Sequence, residues 1–333
     1  MFYNRILSSR LLSSPKNPQL SPENVFPAEL VAHLRAKQAL LKAHDPEHQK
    51  IRTLLLILGG GMRGVSGAGV VTALHALGLG DVFDTVVGVS AGAANAAYYL
   101  AGEEQVKLGT SIYYQDLPPH FIRYRRRPIV DIDFLEQCWH SGEKRLDTAA
   151  VRATRSEFFV AVTRVRDYQG VLLDAKPVPD IVSLLKATSA IPRLYGRSVT
   201  IGDEAYFDGS VGMLFPAEIV VERFDPTDLV IITNHQPQVS LGAGRSREQM
   251  LTPLFLRSMP ADLRAKLLSL PEENHRAIEF LRRQRLTWGL INMPVRNVWA
   301  LSRNATKLRD CALASAKHTG ALFGEPELRV DLP

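Results

Sequence analysis

The chain of 333 residues contains few cysteines and no long hydrophobic run. Its two cysteines, Cys138 and Cys311, are too few for a disulfide scaffold and are not spaced as metal ligands. They favour a reducing compartment, and we expect a cytoplasmic protein. No stretch of about 18 apolar residues occurs, so the sequence pattern predicts no transmembrane helix.

The sequence also lacks internal repeats, low-complexity tracts and any recognisable nucleic-acid-binding module. A net charge of +6 is a mild basic excess without the dense basic face of nucleic-acid binders, so we expect no nucleic-acid partner. A hydrophobic fraction of 46% predicts a folded globular protein. Residues 1–26 are basic and Ser-rich, with no acid before Glu23. They predict a mobile arm, with a targeting segment as the alternative.

The order of the predicted elements favours an α/β fold. Residues 53–58 form a short apolar run followed by three glycines and a predicted helix over 65–77; a second strand over 85–89 precedes a helix over 91–101. Two successive strand–turn–helix units indicate a parallel sheet. Further strands are predicted at 157–163, 171–174, 199–201, 205–207 and 229–233, with helices at 27–43 and 181–189.

The same pattern predicts three segments along the chain. An N-terminal arm and helix occupy 1–50, and a catalytic domain occupies 51–236. Residues 237–333 predict a helical appendage, in which an exposed loop over 240–247 precedes Leu-rich helices at 254–270 and 276–290.

Ser90 lies between two glycines, Gly88 and Gly92, at the junction of a predicted buried strand and a helix. This Gly-x-Ser-x-Gly pattern is typical of a nucleophile elbow, in which a sharp turn exposes the serine hydroxyl next to backbone N–H groups. Glycines on both sides remove the Cβ atoms that would clash in such a turn. The alternative is a glycine-bounded turn that contains a serine without a catalytic role.

A glycine-rich loop occupies the other strand–helix junction, with the sequence Gly59-Gly60-Gly61-Met62-Arg63-Gly64. Such a loop lets backbone N–H groups converge on an anion, either a phosphate or the oxyanion of acyl transfer. A P-loop is excluded because no Gly-Lys-Ser/Thr follows. A dinucleotide site would need an acid at a strand end, whereas Asp81 and Asp84 fall in a predicted loop. The elbow 24 residues beyond Gly64 favours an oxyanion hole.

The serine needs a base, and two candidates remain. Asp208 ends a predicted hairpin strand and precedes Gly209, where a partly buried carboxylate would become more basic. An ordinary Asp-Gly turn is its alternative. Of the nine histidines only His235, just past a predicted strand, stands where a triad histidine would. Arg63 would add charge near an anion or pair with a carboxylate to hold the loop.

Together the three motifs resemble the patatin-like phospholipase family, with a Gly-Gly-Gly-x-Arg/Lys-Gly loop, a Gly-x-Ser-x-Gly elbow and a later Asp-Gly box. Residues 186–192, Lys-Ala-Thr-Ser-Ala-Ile-Pro, resemble the segment before that box. The resemblance, over about 52–235, implies a three-layer α/β/α sandwich with a central, mostly parallel sheet. It implies hydrolysis of a lipid acyl ester by a Ser90–Asp208 dyad without a metal or cofactor. It also implies oxyanion donors at Gly60, Gly61 and Met62.

Two positions depart from the family pattern. Ser210 stands where glycine or alanine is usual, and Leu214 stands where many members have asparagine. Leu214 puts in doubt any hydrogen bond that the asparagine would make, although neither change removes a predicted catalytic atom. Two alternatives therefore stay open: a Ser-His-Asp hydrolase that uses His235, and a lipid-binding protein that has lost turnover.

Two segments predict contact with a membrane surface. Residues 121–128, Phe-Ile-Arg-Tyr-Arg-Arg-Arg-Pro, mix aromatic side chains with four arginines, which suit anionic lipid head groups. The basic amphipathic segment 254–270 is the alternative. A solvated face is the simpler interpretation of either.

Overall fold

The computed structural model of the chain describes residues 26–124, 126–236, 260–295 and 297–333. The predicted arm up to residue 25, the predicted loop at 240–247 and the first part of the predicted helix at 254–270 lie outside these residues. Within them, no helix is both long and apolar enough to cross a membrane.

Eight strands form one mixed sheet. They are β1 (Thr53–Ile57), β2 (Thr85–Val89), β3 (Glu157–Arg164), β4 (Gly170–Asp174), β5 (Val199–Ile201), β6 (Glu204–Asp208), β7 (Asp228–Ile232) and β8 (Thr287–Ile291). The order is β5-β6-β3-β2-β1-β7-β8, with β4 also paired to β3. The strands β3, β2, β1, β7 and β8 are neighbours in that order and pair in parallel. The strands β4, β5 and β6 are antiparallel to their neighbours. The sheet is therefore mostly parallel, as predicted.

The described α-helices follow in chain order. They are α1 (Ala28–Lys42), α2 (Gly64–Ala76), α3 (Ala91–Leu100), α4 (Glu103–Gln115), α5 (Leu117–His120), α6 (Ile132–His140), α7 (Thr148–Ala153), α8 (Ile181–Ser189), α9 (Gly209–Gly212), α10 (Ala217–Phe224), α11 (Ala261–Arg283) and α12 (Ala305–Leu322). Short 3₁₀ helices occupy Pro46–Lys50 and Gly61–Arg63.

Helices cover both faces of the sheet, and alternate strand residues enter different cores. In β1, Leu55 and Ile57 pack with α2, α3 and α12, whereas Leu54 and Leu56 pack with α10 and α11 on the opposite face. Because successive side chains point to opposite faces, a strand that is apolar throughout requires cover on both sides. The three-layer α/β/α arrangement is thereby confirmed.

The C-terminal part of the chain differs from its prediction. The helix predicted over 276–290 ends at Arg283, and β8 pairs in parallel with β7. Leucines at helical spacing favoured a helix, but Trp288, Leu290 and Ile291 are buried against the sheet. The free edge of β7 supplies the backbone partners that local sequence does not reveal. Residues after 237 therefore are not helical throughout, and they add a strand to the central sheet; the predicted segment boundary stays a prediction.

The predicted N-terminal helix is present and is fixed to the sheet by buried polar contacts. Lys37, fully buried in α1, donates to the Ile51 carbonyl at 2.6 Å and to the Thr53 hydroxyl at 2.9 Å, and it forms an ion pair with Asp84. These groups lie at the amino ends of the parallel strands. The opposite, carboxyl ends carry the motif residues.

Candidate active site

Strand register brings Ser90 and Asp208 together. Val89, the last residue of β2, pairs with Ala161 of β3, and Asp208 pairs with the next β3 residue, Val162. Both side chains therefore emerge at the same point of the sheet, although 118 residues separate them in sequence. The sequence predicted each residue at a strand end, and the sheet places them side by side.

Ser90 occupies a sharp turn between β2 and α3. Its backbone, with φ 53° and ψ −128°, lies in a region that non-glycine residues rarely adopt. The turn also requires close packing, because a Cβ on Gly92 would overlap the Ile57 carbonyl. The Ser90 N–H donates to the Thr188 hydroxyl at 2.9 Å, and that hydroxyl donates to the Ala161 carbonyl at 2.5 Å. The predicted elbow thus has the strained geometry of a nucleophile turn.

The Ser90 hydroxyl donates to the Asp208 carboxylate, with Oγ 2.7 Å from Oδ2. The other carboxylate oxygen, Oδ1, accepts from the Ser210 N–H at 2.8 Å and from the Ser210 hydroxyl at 2.7 Å. Asp208 is fully buried. Burial raises the pKa of its carboxyl, and the hydrogen bonds from Ser210 and Ser90 oppose that rise. The carboxylate is therefore more basic than an exposed aspartate and is held in place on both oxygens.

The glycine loop lies beside the serine. A Cβ on Gly59 would come within 3.0 Å of the Ser90 Cβ, and Gly61, at φ 57°, occupies the left-handed region that favours glycine. In the described parts of the chain, no acceptor binds the N–H groups of Gly60 or Gly61. The Met62 N–H instead donates to the Ala300 carbonyl at 3.0 Å. Within the described residues, two of the three predicted oxyanion donors thus have no acceptor, and the third contacts the loop that contains Ala300.

Two asparagines that the sequence analysis missed hold the glycine loop. Asn234 donates to the Leu58 carbonyl at 2.6 Å and accepts from the Gly67 N–H at 2.7 Å, which joins the two sides of the loop. Asn95 donates to the Gly64 carbonyl at 2.8 Å. Their positions carried a weak signal, since Asn234 directly follows a predicted strand and Asn95 lies one turn beyond the elbow. Arg63 is nearly buried in the same loop.

An apolar pocket opens beside Ser90. The side of α3 that carries Ala91, Ala94 and Tyr98 forms one wall, because these positions repeat at helical spacing. The remaining lining comes mainly from apolar and aromatic residues: Met62, Ile112, Tyr113, Leu117, Phe121, Ile132, Leu135, Trp139 and Ile191. Helices α4 and α6, which the sequence did not predict, contribute several of these residues. The pocket thus presents a mainly apolar lining next to the Ser90 hydroxyl.

His235 lies just beyond β7, as predicted. Its backbone carbonyl accepts from the Met293 N–H at 2.8 Å, so the segment is fixed against the region after β8. A serine hydroxyl has one proton to donate, and that of Ser90 is directed to Asp208. The geometry thus favours the carboxylate over His235 as proton acceptor.

Comparisons with known proteins place the chain in a family. Residues 55–221, half of the chain, match the model of the patatin-like phospholipase family. A curated relative, described as the uncharacterized protein YjjU of Escherichia coli strain K12, is 27% identical over 188 residues; these cover 55% of this chain and 52% of the relative. The chain thus spans about half the length of that relative.

Among solved structures, the chain is similar to VipD from Legionella pneumophila, with 12% identity and a TM-score of 0.40 over 82% of this chain and 67% of that one. The matched residues 55–221 include the glycine loop, the elbow and the aspartate box. The chain belongs to the patatin-like phospholipase family.

Proposed function

We propose that the protein is a serine-dependent lipid acyl hydrolase that cleaves carboxylic esters with a Ser90–Asp208 dyad. The observation that carries this proposal is the 2.7 Å hydrogen bond from the Ser90 hydroxyl to a fully buried carboxylate, at the edge of an apolar pocket. Family membership supports a lipid acyl substrate in general. The pocket supports an acyl chain as the part of the substrate that lies next to Ser90.

In the acylation step, Ser90 Oγ attacks the carbonyl carbon of the ester while its proton passes to Asp208 Oδ2. The carbonyl oxygen becomes an oxyanion, which would accept hydrogen bonds from the N–H groups of Gly60 and Gly61, since these have no acceptor within the described residues. Each such donor is typically worth roughly 10²–10³ in rate. Collapse of this intermediate breaks the bond to the leaving alkoxide, which takes the proton from Asp208. The products are an acyl-enzyme on Ser90 and a free alcohol.

Deacylation repeats the steps with water as the nucleophile. Asp208 accepts a proton from the water, the acyl–Oγ bond breaks, and the proton returns to Ser90. The raised pKa of Asp208, caused by burial, makes proton transfer from a hydroxyl less unfavourable than it would be to an exposed aspartate. This sequence consumes one water and needs no metal or cofactor.

The test is hydrolysis of a short p-nitrophenyl ester by three variants. We expect Ser90→Ala to abolish turnover, Asp208→Asn to lower it by at least about a hundredfold, and His235→Ala to retain most of it. A His235-dependent hydrolase would give the reverse order for the last two variants. A lipid-binding protein without turnover would give no Ser90-dependent activity in the wild-type chain, on short esters or on lipids.

A further inference from the structure

Two exposed aromatic side chains lie on neighbouring loops at the rim of the candidate site. Across the described residues, the large hydrophobic side chains that are well exposed are Tyr124 (51%), Ile219 (42%), Leu268 (51%) and Trp299 (37%). Ile219 belongs to α10 and Leu268 to α11, where single exposed apolar residues are ordinary. Tyr124 and Trp299 differ because both belong to loops that touch each other.

Hydrogen bonds fix the two aromatic loops together. The Tyr124 hydroxyl donates to the Leu301 carbonyl at 2.7 Å. The backbone N–H of Trp299 donates to the Ser302 hydroxyl at 2.9 Å, and the backbone N–H of Ser302 donates to the Trp299 carbonyl at 3.0 Å. The two aromatic residues are thus displayed from a constrained turn, so exposing them costs little further ordering when a partner binds.

Three exposed arginines lie close in sequence to the two aromatic residues. Arg126, Arg127 and Arg303 are all exposed. Arg303 Nε donates to the Pro118 carbonyl at 3.0 Å, and no acid of the described chain forms an ion pair with any of the three. Arg123 of the same segment differs, because it pairs with Asp131 at 2.8 Å. Among the described residues, the guanidinium groups of Arg126, Arg127 and Arg303 therefore have no carboxylate partner, and their positive charge fits a phosphate-rich surface.

This surface borders the catalytic groups. Ala300, next to Trp299, is the residue whose carbonyl accepts from the Met62 N–H of the glycine loop. Phe121, three residues before Tyr124, lines the apolar pocket. A planar partner held by the aromatic pair would thus lie against the side of the molecule that carries the pocket.

We propose that Tyr124, Trp299, Arg126, Arg127 and Arg303 form a docking surface for an anionic lipid membrane. The aromatic rings would enter the head-group region, where amphipathic rings are favoured, and the arginines would pair with lipid phosphates. The surface combines one segment that the sequence predicted with a C-terminal loop that it did not. Docking requires no turnover, so it stands or falls independently of the hydrolase proposal.

Tryptophan fluorescence reports this docking directly. The chain has three tryptophans, and Trp139 (2%) and Trp288 (0%) are buried whereas Trp299 is exposed. The full-length Ser90→Ala protein would be titrated with vesicles of phosphatidylcholine alone or mixed with phosphatidylglycerol. We expect a blue shift with the mixed vesicles that Trp299→Phe removes, and weaker binding as salt increases. No shift and no co-sedimentation with the mixed vesicles would overturn the proposal.

Matched variants separate this surface from the rest of the molecule. Co-sedimentation affinity for the mixed vesicles should fall about fivefold for each of Arg126→Gln and Arg127→Gln, since a basic residue near an anionic surface contributes about 1 kcal/mol. Trp299→Ser should weaken it roughly tenfold by removing buried apolar area. Leu268→Ser, at an apolar position on α11 that is more exposed than Trp299, should leave it unchanged. Loss with Leu268→Ser but not with Trp299→Ser would transfer the docking to the α11 segment and refute this surface.

Discussion

Ser210 offers the sharpest test of Asp208 as the proposed base. Its hydroxyl donates to Asp208 Oδ1 at 2.7 Å, while its backbone N–H donates to the same oxygen at 2.8 Å. Ser210→Ala removes the first bond and retains the second, so Asp208 should keep its orientation towards Ser90. The change therefore isolates the effect of one donor on the basicity of the carboxylate.

The magnitude follows from the strength of that bond. A hydrogen bond to a charged group contributes about 1.5–3 kcal/mol, and one pKa unit corresponds to about 1.4 kcal/mol. Because the Ser210 hydroxyl stabilises the ionised carboxylate, its removal should raise the pKa of Asp208 further. We expect a rise of about one unit, the lower end of that range, because the Ser210 N–H still donates to the same oxygen. The proposed mechanism requires the ionised form of Asp208, so the acidic limb of the profile of kcat/KM against pH should move up by about one pH unit.

The assay is kcat/KM for a soluble p-nitrophenyl ester from acidic to mildly alkaline pH. Ser210→Thr retains a hydroxyl and serves as the matched control, with an acidic limb close to that of the wild type. At pH values on the limb, Ser210→Ala should be about tenfold slower than the wild type, and the difference should close on the plateau. An equal loss at every pH would show that Ser210 acts only on structure, and an unmoved or lowered limb would refute the reasoning.

Three further predictions concern stability and the base itself. Asp208→Asn should lower kcat/KM by roughly 10²–10⁴-fold. It should also raise the melting temperature at neutral pH, because burial raises the pKa of the Asp208 carboxyl and the folded protein therefore loses stability as the pH rises through that pKa. A lower melting temperature would contradict this. The hydrogen bond with Asp228 raises the pKa of His33, so His33→Gln should destabilise the chain in acidic buffer and much less once the pH exceeds the raised pKa. A loss of stability confined to alkaline buffer would contradict a stabilising His33–Asp228 pair. Lys37→Met should lower the free energy of unfolding by about 1.5–3 kcal/mol, because it removes a charged hydrogen bond to Asp84 while Arg155 still pairs with that carboxylate, and denaturant unfolding with an unchanged midpoint would refute this.

Most elements of the candidate site could be predicted from the sequence because their signals are local. An apolar strand followed by glycines predicts β1 and its loop from a dozen residues, and Ser90 between two glycines predicts a turn in the same way. The distance between Ser90 and Asp208 was not local information, since it depends on how β2 and β6 align against β3. The family resemblance predicted that Ser90 pairs with Asp208, and the register of β2 and β6 against β3 explains why the two residues lie close together.

The elements that the sequence did not predict depend on tertiary contacts. Residues 287–291 form β8 because the edge of β7 is available to pair with them, although their leucine spacing favoured a helix. The Met62 N–H was predicted to face an oxyanion, and its contact with Ala300 joins positions 238 residues apart that no local pattern relates. Ser210 was noted only as a departure from the family pattern, and its hydroxyl proves to contact the predicted base.

Site mapping of a fluorophosphonate adduct tests the central claim most directly. The reagent forms a bond only with an activated serine, so digestion and mass spectrometry of the labelled full-length chain identify the nucleophile without knowledge of the lipid substrate. We predict one phosphonylated residue, Ser90, and loss of labelling in Asp208→Asn with retention in His235→Ala. Labelling at another serine, or unchanged labelling of Ser90 in Asp208→Asn, would contradict a Ser90–Asp208 dyad.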